Sequence, residues 1–449
     1  INPANDELIK EYTEHTEAEA AQIIEKVHKE QIQWRKTSFA HRRGLMHRAA
    51  AVLREKGDGY ARTMSLEMGK TITEARAEVE KCAWVCEYYA DNAEKFLADE
   101  IIETDASRSF VAFEPLGIVL AVMPWNFPFW QVFRFAAPAL MAGNAGILKH
   151  ASNVPGSALA IEEVFHKAGF PEDIFRTLLI SARKVENIIK NPLVKAVTLT
   201  GSEPAGMQVA ATAGRELKKT VLELGGSDPF IVLEDADLPA CVLTSTKARM
   251  INTGQSCIAA KRFIVVEPLV KQFEEQQTAI MTQLKVGDPL QEDTKVGPMA
   301  RLDLLEELHE QVTKSIEMGA RLLCGGKKLE GPGAFYLPTV LAGVKKGMPV
   351  YEQETFGPVS AVIPVKDTEE AIAVANDSEF GLGGSVWSRD VKKAEAVARR
   401  IETGAMFING LTKSDPRLPF GGVKKSGYGR ELSHYGIREF VNIKTIWIA

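Results

Sequence analysis

The chain has 449 residues, 45% of them hydrophobic and 25% charged, with a net charge of −5 and a pI near 6.0. That length exceeds a typical domain and predicts two or more lobes of ordinary globular composition. The mildly acidic balance excludes a basic nucleic-acid footprint, and no run of 18 apolar residues reaches the length of a membrane span.

The N-terminus is polar and acid-rich (Asp6, Glu7, Glu11, Glu14), unlike a signal peptide. The sequence begins at Ile1 rather than Met, which leaves the true start open. Residues 16–98 read as helices: Ala20, Ile23, Ile24 and Val27 recur at helical spacing, as do Leu45, Ala49, Val52 and Leu53. Cys82 and Cys86 share one face there. With no metal-ligand spacing nearby, they read as small buried residues, as do Cys241 and Cys324. Five cysteines in so long a chain make no disulfide framework and point to a reducing cytoplasm.

Arg108–Phe113 reads as a strand, Pro115-Leu116-Gly117 as a turn, and Ile118–Met123 as a buried parallel strand. Strands and helices then alternate. Strands are expected at Ile147–Lys149, Phe175–Leu179, Val194–Thr200 and Val221–Leu224, with helices at Ser157–Ala168, Lys184–Lys190 and Glu203–Ala213. The rhythm predicts an α/β fold with a parallel sheet, helices on both faces and ligands at the carboxyl ends of the strands. After a break near Gly225-Gly226-Ser227 the alternation resumes at Arg262–Val266, Val270–Leu284, Leu302–Met318, Val359–Val365 and Glu369–Asn376. A Gly-rich stretch past Phe420 leads into a β-type tail, Phe440–Ile448.

Three motifs carry chemistry. Cys257 ends the run Asn252-Thr253-Gly254-Gln255-Ser256-Cys257, small and turn-forming, which suits an exposed sulfur. A cysteine attacks as thiolate and needs help to ionise at neutral pH. Attack on a carbonyl creates an oxyanion, for which the side-chain amide of Asn126, in Pro124-Trp125-Asn126-Phe127-Pro128, and the Cys257 N–H are candidate donors. Glu223, in Leu222-Glu223-Leu224-Gly225-Gly226, has the apolar neighbours that raise a carboxyl pKa and suit a general base for water.

These blocks, together with Leu199-Thr200-Gly201-Ser202, Glu354-Thr355-Phe356-Gly357-Pro358 and Gly421–Gly427, resemble the NAD(P)-dependent aldehyde dehydrogenases over nearly the whole chain. Within that family the succinate-semialdehyde group is the nearest in pattern, notably at Leu224–Phe230 and Phe420–Gly427. The resemblance implies a Rossmann-type cofactor domain at 1–103 and 116–225, an α/β catalytic domain at 226–425, and a small β oligomerisation arm at 104–115 and 426–449. It implies a thiohemiacetal and then a thioester on Cys257, Asn126 holding the oxyanion, and Glu223 activating the deacylating water. Lys149 would meet the adenosine ribose, Gly201 and Ser202 the pyrophosphate at a helix start, and Glu354 the nicotinamide ribose, with Trp125 and Phe356 flanking the cofactor.

NAD-preferring members place Glu three positions after that lysine, where it repels a 2′-phosphate. Ser152 stands here, which favours NADP over NAD. Ser181 and Val185 replace family glycines near the pyrophosphate. Arg134, on the helix after Asn126, is the group's binder of a distal carboxylate, a task that suits a forked cation. Trp130 and Phe420 would add apolar walls. The group's second arginine is Ile251 here, with Arg249 and Arg417 as substitutes, and Ala259 replaces its regulatory cysteine. The expected protein is a cytoplasmic homodimer or homotetramer oxidising succinate semialdehyde or another short or ω-carboxy aldehyde, without metal. Two other classes are a cofactor-independent thiol hydrolase or acyltransferase using Cys257, which would need a histidine beside it, and a non-catalytic binding protein.

Overall fold

The computed structural model describes residues 1–449. Four helices open the chain: Glu17–Trp34, Phe39–Glu55, Gly57–Met68 and Ile72–Phe96. Thr16 and Glu19 close a capping box at the first, which satisfies the amides the helix start leaves free. Its predicted apolar stripe is the buried one, and Trp34 fixes the far end by donating its indole N–H to the Leu140 carbonyl at 3.0 Å.

Those helices cover a six-stranded sheet. Its order is Gly427–Tyr428, Lys219–Glu223, Val194–Thr200, Ile118–Met123, Ala145–His150 and Phe175–Thr177, parallel except for the first pair. Ile118–Met123 lies between two parallel neighbours under helices, which is why its sequence is continuously apolar rather than alternating. Glu223 and Met123 both end strands, so the loops carrying Asn126 and Gly225 leave the same end of the sheet.

A second, seven-stranded sheet has the order Arg321–Cys324, Thr339–Ala342, Val359–Val365, Ala260–Val266, Asp228–Val232, Ser385–Trp387 and Phe407–Ile408. Alternation along its central strands builds two cores. Ile231, Leu233 and Ile264 pack with Leu305 and Leu308 on one face, and Phe230, Val232 and Phe263 with Cys241 and Phe273 on the other. The third sheet is antiparallel and joins Glu100–Ile101, Arg108–Pro115 and Val441–Ile448.

Glu100–Ile101 therefore pairs into the arm sheet, while Gly427–Tyr428 pairs with the edge of the first sheet. The helix Leu238–Met250 lies outside the predicted elements. Its buried face carries polar Ser245, Thr246 and Arg249 beside Leu238, Cys241 and Val242, while Leu243 is exposed on the other face, so the apolar stripe that marks a helix in sequence is blurred. Cys82, Cys86 and Cys241 are buried, whereas Cys324 is half-buried, its thiol directed at the Pro338 carbonyl 3.7 Å away. No helix is long and apolar enough to cross a membrane.

Candidate active site

The loop that presents Cys257 runs between the helix Leu238–Met250 and the strand Ala260–Val266. Asn252 (φ 53°), Thr253 (φ 57°) and Gly254 (φ +75°) are consecutively left-handed. That conformation is tolerable for Asn, costly for β-branched Thr, and persists only where the surroundings over-determine it. The surroundings do so here. The Asn252 N–H donates to Glu74 at 2.8 Å, and its amide donates to the carbonyls of Asn126 (2.8 Å) and Gln255 (3.0 Å). Thr253 accepts from the Gly297 N–H at 3.1 Å. A Cβ at Gly254 would stand 2.2 Å from the Gly357 carbonyl oxygen, so glycine lets the Cys257 loop touch the loop carrying Glu354 and Phe356.

Asn126 is held from both sides. Glu78 accepts from the N–H groups of Phe129 and Trp130, both at 2.9 Å, and pairs with Lys70 in the interior. His150 accepts from the Ala151 N–H at Nδ1 (3.0 Å), which places its proton on Nε2, 2.9 Å from the Pro128 carbonyl. Burial pushes that imidazole down to about 4, so it is neutral. The Asn126 carbonyl oxygen accepts from Gln131 at 3.0 Å, which turns its NH₂ toward the Gln255 carbonyl at 3.1 Å. One amide hydrogen is left to donate.

Trp125, Asn126, Gly201, Ser202, Cys257, Glu354 and Phe356 line one cavity of about 520 Å³, so seven of the anticipated residues converge. Trp125 and Phe356 meet edge to face at 5.7 Å. Ser202 begins the helix Glu203–Arg215 and makes no side-chain cap bond, leaving its hydroxyl free at a helix start. Glu354 accepts from the Gly226 N–H at 3.0 Å and lies 3.3 Å from the Lys261 ammonium. A Cβ at Gly225 would meet the other Glu354 oxygen at 2.7 Å. Lys149 sits at the end of its strand, buried, with its ammonium pKa lowered by desolvation. Ser152 is exposed in a separate recess with Lys10, Tyr12 and Asn153.

Behind this cavity lies a buried charge cluster. Glu223 is 2% exposed, and neither carboxyl oxygen has a hydrogen-bond partner in the protein. Its pKa stands well above the carboxylate range, from burial first and then from Glu431, with Arg134 opposing. Arg134 is paired with Glu431, donates to Thr200 at 3.3 Å and stacks on Phe420 with its carbon 4.6 Å from the ring centre. In this structure Arg134 thus carries an ion pair with Glu431, and it is not among the residues lining the 520 Å³ cavity. The two substitutes are committed as well. Arg249 donates to the Ala260, Gly254 and Thr355 carbonyls, and Arg417 pairs with Asp415 at 2.7 Å. Trp130 and Phe420 each present a ring face to a cation, Lys81 and Arg134 respectively.

The Cys257 thiol is pushed up to about 12 by burial, with Lys261 and Arg134 opposing and Glu354 and Asp228 adding to the rise. No histidine stands beside it: His150 is spent on backbone, and His309 meets Tyr336 at 3.1 Å. A Cys–His hydrolase has no base here. Lys261, fully buried, donates to the Ser256 and Cys257 carbonyls at 2.8 Å each and ties down the nucleophile. Gln131, Glu74, Lys261 and Glu431 were not singled out from sequence. Each belongs to a type that is usually exposed, and only tertiary contact reveals its task.

This fold and this constellation place the chain in the aldehyde dehydrogenase family, whose model matches residues 1–446. A probable succinate-semialdehyde dehydrogenase [NADP(+)] of Synechocystis sp. is 53% identical over 449 residues, covering all of this chain and 99% of the relative. Succinate-semialdehyde dehydrogenase [NADP(+)] 1 of Mycobacterium tuberculosis is 51% identical over 452 residues, with 100% and 99% covered. Among solved structures, succinic semialdehyde dehydrogenase from Streptococcus pyogenes in complex with NADP+ superposes with a TM-score of 0.98 at 42% identity, covering all of this chain and 99% of that one.

Proposed function

We propose that the chain oxidises succinate semialdehyde to succinate with NADP, through a covalent intermediate on Cys257. The observation that carries this reading is the convergence of Cys257, Asn126, Ser202 and Glu354 on one cavity. The relatives named for that reaction support the substrate and the cofactor.

The residues fit a dinucleotide. Ser202 offers a hydroxyl at a helix start, Lys149 a buried ammonium, Glu354 a carboxylate, and Trp125 and Phe356 aromatic faces. Ser152, neutral where a glutamate would repel, suits a 2′-phosphate. The cofactor, when bound, accepts hydride from the substrate carbon. Everything else falls to the chain. Cys257 adds its sulfur to the aldehyde carbon, and the Asn126 amide with the Cys257 N–H stabilises the oxyanion. Lys261 holds the backbone of that hole in place. Glu223, its pKa raised by burial and by Glu431, accepts the proton of the water that attacks the thioester.

By the same reading, residues 1–103 and 116–225 carry the cofactor, 226–425 the nucleophile, and 104–115 with 426–449 the assembly of a cytoplasmic homodimer or homotetramer. The test is a panel of initial rates for succinate semialdehyde, butanal and longer aldehydes, each with NADP and with NAD. The highest kcat/KM is expected for succinate semialdehyde with NADP. Equal values for the charged and uncharged four-carbon aldehydes would contradict the substrate, and equal values for the two dinucleotides would contradict the cofactor.

A further inference from the structure

The helix Trp130–Met141 is buried along its whole length, and the only non-aromatic polar side chains on it are Gln131 and Arg134. Arg134 is accounted for by its ion pair, whereas Gln131 makes one side-chain hydrogen bond. Its Nε2 donates to the Asn126 side-chain oxygen at 3.0 Å, while its own Oε1 is buried without a partner in the protein. An orphaned buried acceptor is destabilising, and a methionine of similar length would fill the same space without one. What the glutamine adds is the bond to Asn126, and both residues line the cavity with Cys257.

The sense of that bond is dictated by backbone. A side-chain amide turned over presents oxygen where it had presented N–H. The Gln255 carbonyl can only accept, and it takes one hydrogen from Asn126 at 3.1 Å and one from Asn252 at 3.0 Å. The Asn252 amide is itself spent, its other hydrogen going to the Asn126 backbone carbonyl at 2.8 Å. Asn126 therefore turns its NH₂ to Gln255 and its oxygen to the opposite side, where Gln131 is the donor that meets it. Without that donor the oxygen has nothing to hold it, and the terminal torsion of asparagine is broad enough to let the amide swing.

We propose that Gln131 is a positioning residue for the oxyanion step: its bond to the Asn126 oxygen fixes the sense of that amide, so that N–H rather than oxygen faces the carbonyl attacked by Cys257. The inference rests on the proposed reaction, in which the Asn126 amide stabilises the oxyanion, and adds the residue that keeps this donor aimed. A pre-aimed donor is effective because nothing has to reorganise as charge develops. The effect belongs to the addition step, so it is equal for charged and uncharged aldehydes.

Two substitutions of nearly equal size test this. Gln131→Met removes the donor. Gln131→Glu makes its sense depend on pH: a protonated carboxyl donates to Asn126 as the amide does, whereas a carboxylate only accepts, which draws the Asn126 NH₂ and turns its oxygen to the reacting carbonyl. Burial favours the protonated form, as do Glu203, Glu307, Glu352, Glu354, Glu379 and Cys257 around the same cavity and Glu78 at the Trp130 N–H. Arg134, one turn along the helix, and Lys70, paired with Glu78, oppose it.

The measurement is single-turnover formation of reduced cofactor by stopped flow, with enzyme and NADP in excess over succinate semialdehyde or butanal. Rates from about pH 6 to about pH 9 are divided by the wild-type rate at the same pH, which removes the ionisation of Cys257 common to both. Gln131→Met is expected to be slower roughly tenfold at every pH and with both aldehydes. Its NADP affinity and melting temperature are expected to match wild type, because one buried orphan replaces another. Gln131→Glu is expected to approach wild type near about pH 6 and to fall roughly 100-fold below it by about pH 9. A Gln131→Met variant at the wild-type rate, or a Gln131→Glu ratio that does not change with pH, would overturn the role of Gln131. A slowing matched by losses of NADP affinity and melting temperature would overturn it too, by reducing Gln131 to packing. A Cys257→Ala variant that forms reduced cofactor at the wild-type rate would instead overturn the proposed reaction beneath it.

Discussion

Cys257 rests as a thiol because its surroundings disfavour charge, and the two cations near it oppose that tendency without reversing it. The sign for catalysis follows. With a thiol pKa near 12, the reactive thiolate fraction grows with every step in pH, by up to about tenfold per unit. The single-turnover rate with butanal, followed by stopped flow from pH 7 to 9, is expected to rise without a plateau, and Cys257→Ala is expected to abolish it while cofactor still binds. At the cofactor end, if the proposed role of Ser152 holds, Ser152→Glu is expected to raise KM for NADP roughly tenfold or more and to leave NAD nearly unaffected, because a carboxylate there would repel a 2′-phosphate. Steady-state kinetics with both dinucleotides checks this. Cys257, Asn126 and Glu223 drew notice in the sequence through their joint pattern of short motifs; the structure brings Cys257 and Asn126 to one cavity, and Glu223 lies outside its lining. Lys261 and Glu431 drew no such notice, since a buried charged residue carries no local mark that distinguishes it from a solvated one.

Loops, more than strands, decide whether the site exists. The Pro124–Pro128 loop hangs on His150 and Glu78, and the Cys257 loop on Glu74, Asn252 and Lys261. His150 has a folded pKa of about 4 against an ordinary value of 6.5, so the unfolded chain binds more protons between those values. Stability therefore falls as pH drops through that window and is fully retained above it, a contribution of about 3 kcal/mol between pH 7 and pH 4. Chemical denaturation of wild type and His150→Gln across pH 4–7 should show a shallower acid loss in the variant. Glu74→Ala is expected to cost about 1–3 kcal/mol, because it orphans the Asn252 N–H beneath two left-handed residues. Strands such as Ile118–Met123, Val194–Thr200 and Val359–Val365 have the bounds their apolar runs predict. The helix Leu238–Met250 buries Ser245, Thr246 and Arg249 and exposes Leu243, so its residues show no clean apolar periodicity.

The whole molecule joins two sheets whose loops meet over one cavity, and a third sheet that touches the main core through Phe113 and Val441. In that third sheet Ile443, Trp447 and Ile448 are exposed on a strand paired on one side only, an edge that isolated chains protect by association. Paired charges at Ile443 and Trp447 (Ile443→Lys with Trp447→Glu) are expected to shift the protein to a smaller species by light scattering, with the Cys257 site intact. Assembly and catalysis are thus separable in principle, and the central claim concerns catalysis: Cys257 from one lobe carries the acyl group that Glu223 from the other releases. The most direct measurement is rapid quench of Glu223→Gln with succinate semialdehyde and NADP, followed by peptide mass spectrometry. A burst of about one reduced cofactor per site and a succinyl thioester on the peptide bearing Cys257 are predicted. A wild-type steady rate with no burst, or an acyl group on any residue other than Cys257, would contradict the account.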